Sequence, residues 1–151
     1  NCNPSLTDGK YTGDVSGATI ANNSWFAFQT YANTETTGSY GTVGTAVIDL
    51  ENSYDLSSVR VHLANLDLTL SNGAAFAPSA LKVEVLVSDS ANGNYSSVGS
   101  YDCSAKEGAF WADIALEGVS ARYVKVAVTI ETPNVGAYYA ILNEIEVYSV
   151  A

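Results

Sequence analysis

The 151-residue chain lacks methionine and contains little positive charge, with six basic residues against sixteen acidic ones and a net charge of −10. Proteins that bind nucleic acid or anionic membranes need clustered lysine and arginine to displace counterions. No such cluster occurs here. The composition therefore argues against both kinds of partner, and the missing initiator methionine suggests a piece of a larger, multi-domain protein.

Long apolar runs and catalytic motifs are also missing. No stretch of eighteen apolar residues is present to span a membrane. A single histidine, His62, excludes a two-histidine metal site, and the chain contains neither a Gly-x-Ser-x-Gly elbow nor a phosphate-binding loop. We therefore expect a protein that is not an enzyme.

Cysteine is nearly absent as well. The two cysteines, Cys2 and Cys103, permit one disulfide. It would close a loop of nearly the whole domain and contribute about 4 to 5 kcal/mol in the chain-entropy model. Two free thiols in a reduced compartment are the alternative, and spacing alone does not separate the two states.

What the chain does contain is typical of a β protein. Ser, Thr, Asn, Gly and ten tyrosines are abundant, while charged residues make up 15%, as in secreted antiparallel domains. Apolar and polar residues alternate well over Leu56 to Leu63, Leu81 to Ser88 and Tyr123 to Thr129. About eight such strands, separated by turns, predict a single all-β domain over residues 1–151, a β-sandwich of jelly-roll type.

The last predicted strand, Tyr138 to Ser149, carries an unusual acid. Strict alternation places Leu142, Glu144, Glu146 and Tyr148 on one face, so a carboxylate follows a large aliphatic side chain where a core would continue. A buried carboxylate needs a partner. The loop Leu6-Thr7-Asp8-Gly9 offers a second acid of the kind that wraps a hard cation, and two solvated acids are the alternative.

Six short motifs occur in an order that is recognisable over nearly the whole chain. They are Leu6-Thr7-Asp8-Gly9, an aromatic strand that begins Trp25-Phe26-Ala27-Phe28, Val47-Ile48-Asp49-Leu50 with Tyr54-Asp55-Leu56-Ser57-Ser58-Val59, Val85-Leu86-Val87-Ser88-Asp89-Ser90 with Tyr95, Ala121-Arg122-Tyr123-Val124-Lys125, and Asn143-Glu144-Ile145-Glu146-Val147-Tyr148. This order resembles the discoidin, or coagulation factor 5/8 type C, family. Bacterial members are galactose-binding-domain-like carbohydrate-binding modules attached to secreted glycoside hydrolases and cell-surface proteins.

The resemblance implies a structural calcium ion. Its side-chain ligands would be Asp8 and Glu144, and its main-chain carbonyl ligands would be Ser5, Lys10, Gly13 and Asn143. Many relatives have Thr where this chain has Gly13, so Thr12 is an alternative ligand. Calcium takes about six to eight oxygen ligands, and the carbonyls of a tight turn supply them without added charge.

The resemblance also implies a sugar site on loops at one end of the sandwich. The matching stretches are Asn22 to Gly44, Asn65 to Ser79 and Thr132 to Tyr139. Aromatic rings there would stack on sugar faces, and amides and carboxylates would bridge hydroxyls. The candidate ligand-binding residues are Trp25, Tyr31, Tyr40, Asn65, Asp67, Asn72, Phe76, Asn134, Tyr138 and Tyr139. Trp25 has a core position as its alternative.

The family's galactose pattern, a His and an Arg on one strand, is only partly met. The matching residues, His62 and Arg60, lie within the predicted strand rather than at its end, so galactose specificity is doubtful. We expect a monomeric carbohydrate-binding module of a secreted or cell-surface protein, which tethers that protein to a glycan. A protein-interaction or adhesion domain, or a structural spacer, is the alternative.

Overall fold

The computed structural model describes residues 26–31, 43–65, 68–69, 75–76, 80–130 and 137–151, with side chains described for 43–65, 80–130 and 141–151. All regular structure in these ranges is β-strand. The strands are β1 Phe26–Tyr31, β2 Val43–Asn65, β3 Leu68–Thr69, β4 Ala75–Phe76, β5 Ala80–Ser88, β6 Ser96–Asp102, β7 Gly108–Ile130 and β8 Ala137–Ser149.

Six of the strands form one antiparallel sheet in the order β1-β8-β2-β7-β5-β6. The predicted strands Leu56 to Leu63, Leu81 to Ser88, Tyr123 to Thr129 and Tyr138 to Ser149 lie within β2, β5, β7 and β8. The stretch Asn65 to Ser79, predicted as loop, contains the small antiparallel pair β3-β4. Two-residue strands are too short to show a period-two pattern, which is why alternation did not reveal them.

Strands β2 and β7 form a long two-stranded ribbon that bends in the middle. Residues 43–49 pair with 123–129, and residues 54–65 pair with 108–121. The register shifts between Asp49 and Tyr54, where Glu51 adopts a φ of 69° and its backbone N–H donates to Oδ1 of Asp49 at 2.8 Å. On β7, Gly118 has a φ of 64°, a conformation that glycine adopts without steric cost. The bend carries the ribbon from one layer of the fold to the other.

The two layers face each other across a single core. A Cβ atom built on Gly99 of β6 would lie 2.6 Å from Cγ2 of Ile114 on β7, although among the described strands β6 pairs with β5 alone. This glycine therefore allows the layers to approach closely. The core includes Val59, Val61, Leu63, Val83, Val85, Ile114, Leu116, Val124, Val126, Val128, Leu142 and Ile145. The predicted all-β sandwich is confirmed.

The face assignment predicted for β8 is wrong at Leu142. His62 lies opposite Glu144, but the next residue of β2, Leu63, lies opposite Leu142, so Asn143 is an extra residue on β8. Such a bulge shifts the alternation by one position. Leu142 is consequently 0% exposed and shares the core with Ile145.

The bend also defines the two ends of the sandwich. At the end opposite the bend, Val43 lies beside Thr129, Asn65 beside Gly108, and Tyr31 beside Ala137. These strand ends border all three stretches that were predicted to bind sugar. The bend end contains residues 49–56, 117–122 and the last residues of the chain.

Candidate functional site

The outward face of the layer β8-β2-β7 carries three rows of cross-strand neighbours. From the bend inward these rows are Tyr148, Ser58 and Ala115; then Glu146, Arg60 and Asp113; then Glu144, His62 and Trp111. Exposure decreases along this direction, from the exposed Tyr148 to Glu144 at 2%.

The innermost row is a buried polar cluster built on the β8 bulge. His62 is 3% exposed, and its Nδ1–H donates to Oδ1 of the fully buried Asn143 at 3.1 Å. The edge of the His62 ring also meets Trp111, with ring centroids 4.9 Å apart. Asn143 is the extra residue of the bulge, and a bulge changes the direction of the side chains beside it. The Asn143 side chain can therefore reach His62, which strict alternation would not allow.

His62 is held neutral at pH 7 by its surroundings. Burial lowers the pKa of the imidazole, and the Asn143 hydrogen bond opposes this only in part. The positive charge of Arg60 lowers that pKa further. His62 is therefore a buried residue on one face of β2. This position agrees with the doubt, raised from the sequence, that His62 and Arg60 form the family's galactose pattern.

The middle row is organised around Arg60. Its Nε donates to Asp113 at 2.5 Å and its Nη1 to Glu146 at 3.3 Å, while the guanidinium lies 4.2 Å from the centroid of a Trp111 ring. The Tyr148 hydroxyl donates to the same Glu146 carboxylate at 2.6 Å. With two carboxylates and a ring already in contact, this guanidinium ties three strands together. Trp111 was not predicted as part of this cluster. The available signal was its position two residues before Asp113, because alternate residues of a strand share one face.

Two of the six predicted calcium ligands, Asn143 and Glu144, belong to the described residues. Both are buried at the bulge of β8, so the carboxylate expected inside the last strand does lie away from solvent. Oxygen donors in a buried position suit a hard cation. Asp8, Ser5, Lys10 and Gly13, with the alternative Thr12, lie outside the described residues.

Asn65, a predicted sugar ligand, has a structural role. Its Oδ1 accepts from the backbone N–H of Ala80 at 3.1 Å, and its Nδ2 donates to the carbonyls of Ala80, Cys103 and Lys106 at 3.1 to 3.3 Å. The buried amide thus joins the end of β2 to the start of β5 and the turn after β6. Since both halves of the amide are engaged, we do not propose Asn65 as a sugar ligand.

The other predicted sugar-binding residues fall into two groups. Some have a described backbone, and the rest lie outside the described residues. Tyr138 and Tyr139 are consecutive residues of β8, paired with Thr30 and Gln29 of β1. Tyr31 ends β1 and Phe76 ends β4. Trp25, Tyr40, Asp67, Asn72 and Asn134 lie outside the described residues.

Cys103, which follows β6, is fully buried. Burial, reinforced by the negative charge of Asp102, raises its pKa to about 11. Its predicted partner, Cys2, lies outside the described residues, so the pairing stays a prediction.

We expect Cys103 to resist alkylation in the native protein at about pH 8. Thiolate is the reactive form, and both the raised pKa and burial suppress it. The measurement is mass spectrometry after iodoacetamide treatment of native protein, unfolded protein, and unfolded protein that has been reduced. Two labels on the unfolded, unreduced chain would establish free thiols. Labels that appear only after reduction would establish the disulfide, and rapid labelling of Cys103 in the native chain would contradict its burial.

Within the part of the chain that the structure describes, no helix is long and apolar enough to cross a membrane.

Solved structures that share this fold include the following two. One is the module CpGH89CBM32-6 of Clostridium perfringens, 15% identical, with a TM-score of 0.50 over 85% of this chain and 95% of that one. The other is chitosan-binding module 1 of a chitosanase/glucanase from Paenibacillus sp. IK-5, 20% identical, with a TM-score of 0.53 over 83% of this chain and 76% of that one. No family model and no curated protein matches the chain. The similarity confirms the predicted fold.

Proposed function

We propose that this chain is a non-catalytic carbohydrate-binding module of a secreted or cell-surface protein, and that it holds the rest of that protein against a glycan. One of the solved structures with this fold is a chitosan-binding module. Since fold alone does not determine function, the proposal needs an observation on this chain.

The observation that carries it is the arrangement of strand ends. The described strand ends that flank the three stretches rich in aromatic, amide and carboxylate residues lie at one end of the sandwich, at Tyr31, Val43, Asn65, Ile130 and Ala137. Connecting segments at one end of a rigid sandwich are a common place for a binding site. Tyr138 and Tyr139 lie where β8 begins at this end. Because consecutive strand residues project to opposite faces, one of the two is expected to be available to a sugar.

We also propose that a calcium ion stabilises the domain, with Glu144 and Asp8 as its side-chain ligands and carbonyl oxygens of Ser5, Lys10, Gly13 and Asn143 completing the set. The support is the burial of Glu144 at the bulge together with the oxygen chemistry of the set. The ion would have a structural role and would take part in no reaction.

The sugar proposal is tested by calorimetry of Tyr138→Ala and Tyr139→Ala against a glycan that the wild type binds. Removal of a stacked ring is expected to weaken binding by about 1 to 3 kcal/mol, by analogy with stacking on other planar ligands. Tyr148→Ala, an exposed tyrosine at the bend end, is the matched control and should bind normally. Full affinity in both test variants would place the site elsewhere.

A further inference from the structure

A fourth connecting segment lies at the same end of the sandwich as the proposed sugar site. Strand β6 ends at Asp102 and β7 begins at Gly108. Gly108 lies opposite Asn65, where the predicted sugar-binding stretch Asn65 to Ser79 begins. The segment from Cys103 to Glu107 is a short turn, and its residues 104–107 are all exposed. We call this segment the β6-β7 turn, and it was not predicted as part of the sugar site.

The side chain of Asn65 joins the β6-β7 turn to both ends of that stretch. Its Oδ1 accepts from the backbone N–H of Ala80, the residue that follows the stretch, at 3.1 Å. Its Nδ2 donates to the carbonyl of Lys106 at 3.1 Å and to that of Cys103 at 3.3 Å. One buried amide therefore holds the β6-β7 turn beside the base of a stretch that was predicted to bind sugar.

The β6-β7 turn is also stabilised by its own hydrogen bonds. The backbone N–H of Lys106 donates to the carbonyl of Cys103 at 3.0 Å. Oδ1 of Asp102 accepts from the backbone N–H of Ser104 at 2.9 Å and from its hydroxyl at 2.6 Å. After the turn, Gly108 has a φ of 73°, a conformation that glycine adopts without steric cost. A segment fixed in this way before a ligand arrives lowers the entropic cost of binding.

Lys106 is the exposed cation of the β6-β7 turn. Its ammonium lies 5.9 Å from the centroid of the Tyr101 ring, and Tyr101 stacks on Phe110 with ring centroids 6.4 Å apart. Both rings pack against the core, so they form a fixed support for the ammonium. Arg60 and Arg122 are paired with carboxylates, whereas no ion pair among the described residues includes Lys106. Its N–H donors are therefore not engaged by a described carboxylate.

The charges around Lys106 indicate a neutral ligand. An ammonium group only donates, so its partner must be an acceptor oxygen. Asp102 precedes the turn and Glu107 ends it, both exposed. The hydrogen bonds from Ser104 lower the pKa of Asp102, so this carboxylate is charged at neutral pH. Because two carboxylates accompany one ammonium here, and the whole chain has a net charge of −10, an acidic glycan would be repelled.

We propose that the β6-β7 turn is part of the sugar site, and that the Lys106 ammonium donates to hydroxyl oxygens of a neutral glycan. Asn65 is then a positioning residue, which sets the turn against the stretch Asn65 to Ser79. The inference rests on the proposed carbohydrate-binding function and deepens it. It gives that site a hydrogen-bond donor and a class of ligand.

The first test is calorimetry with soluble neutral oligomers of glucose, galactose, mannose, xylose and N-acetylglucosamine, and with acidic oligomers of galacturonic and guluronic acid. At least one neutral oligomer should bind, and the acidic ones should bind more weakly. The affinity for the neutral oligomer should be the same in about 0.05 M and about 0.5 M salt, because salt screens interactions between charges. Preference for an acidic oligomer, with an affinity that falls about tenfold or more over this range of salt, overturns the inference.

Substitutions at Lys106 locate the contact. Lys106→Ala should weaken binding of the neutral oligomer about tenfold, because a charged donor makes stronger hydrogen bonds than a neutral one. Lys106→Arg keeps a charged donor and should bind more tightly than Lys106→Ala. Lys125→Ala is the matched control, since the Lys125 ammonium also lies over a tyrosine ring, that of Tyr95 at 3.9 Å, but in a row with Val47 and Leu86. The control should bind like the wild type, and unchanged binding by Lys106→Ala overturns the inference.

Asn65→Ala tests the positioning role. The variant should bind the neutral oligomer more weakly, and the double variant Asn65→Ala/Lys106→Ala should bind no more weakly than the weaker single variant, because both substitutions remove the same contact. Losses that add in the double variant would overturn the positioning role. Circular dichroism and melting curves establish that each variant is folded at the temperature of the calorimetry.

A second measurement needs no substitution. Acetylation of surface lysines in the wild type is read by mass spectrometry, with and without a saturating concentration of the neutral oligomer. The oligomer should protect Lys106 and leave the labelling of Lys125 unchanged. Equal labelling of Lys106 in the two samples overturns the inference even if Asn65→Ala does not fold.

These results separate the inference from the proposed function. If a glycan binds and Tyr138→Ala or Tyr139→Ala weakens it while Lys106→Ala does not, the inference fails and the proposed function stands. If no glycan binds the folded chain, both fail.

Discussion

Chelation of calcium should lower the melting temperature of this domain by about 8 to 16 °C. An ion that binds only the native state, at a thousandfold excess over its Kd, contributes about 4 kcal/mol. For a domain of this size, each kcal/mol shifts the melting temperature by about 2 to 4 °C. The measurement is differential scanning calorimetry with millimolar calcium and with excess EDTA.

Substitutions on β8 supply the controls for this experiment. Glu144→Gln keeps the shape of the buried side chain and removes its charge, so the variant should melt like the chelated wild type and no longer respond to EDTA. Asp8→Ala should behave in the same way. Glu146→Gln changes the same chemical group two residues along the strand, on the Arg60 row, and should keep the calcium response. An EDTA-insensitive wild type would exclude the structural ion.

Truncation of Leu142 to alanine should reduce the free energy of unfolding by about 2 to 5 kcal/mol, the usual cost of removing a large aliphatic side chain from a core. The β8 bulge turns Leu142 into the core, where it is 0% exposed. Urea denaturation monitored by tryptophan fluorescence measures the change.

Tyr148→Ala is the comparison, because uninterrupted alternation would have placed Tyr148 and Leu142 on the same face. The exposed Tyr148 contributes a hydrogen bond to Glu146 at the surface and should cost about 1 kcal/mol or less. Similar costs for the two variants would contradict the bulge at Asn143.

Local pattern was enough to find the strands whose side chains alternate cleanly. Val83 and Val85 on β5, and Val124 and Val126 on β7, fall on the core side as their spacing predicted. The position of the bulge on β8 depends on the register between β8 and β2. The sequence of β8 alone does not reveal that register. Alternation therefore failed at Leu142, where a distant strand determines the face.

Contacts between distant parts of the chain also explain what was missed at the candidate sites. Asn65 looked like a loop amide, yet its partners at Ala80, Cys103 and Lys106 are 15 to 41 residues away. The hollow lined by Leu50, Tyr54, Leu56, Val147 and Ser149 was not predicted either, because it forms only when the β2 bend and the end of β8 come together. Burial of Glu144, in contrast, was one of the two alternatives that the sequence left open, because this carboxylate follows Leu142 where a core would continue.

The most direct test of carbohydrate binding is co-sedimentation of the isolated chain with a panel of insoluble polysaccharides, followed by calorimetry with oligosaccharides of any that retain it. The proposed function predicts saturable binding to at least one glycan, with release by the matching soluble oligosaccharide. Failure to bind every glycan, by a folded chain in the presence of calcium, would contradict it.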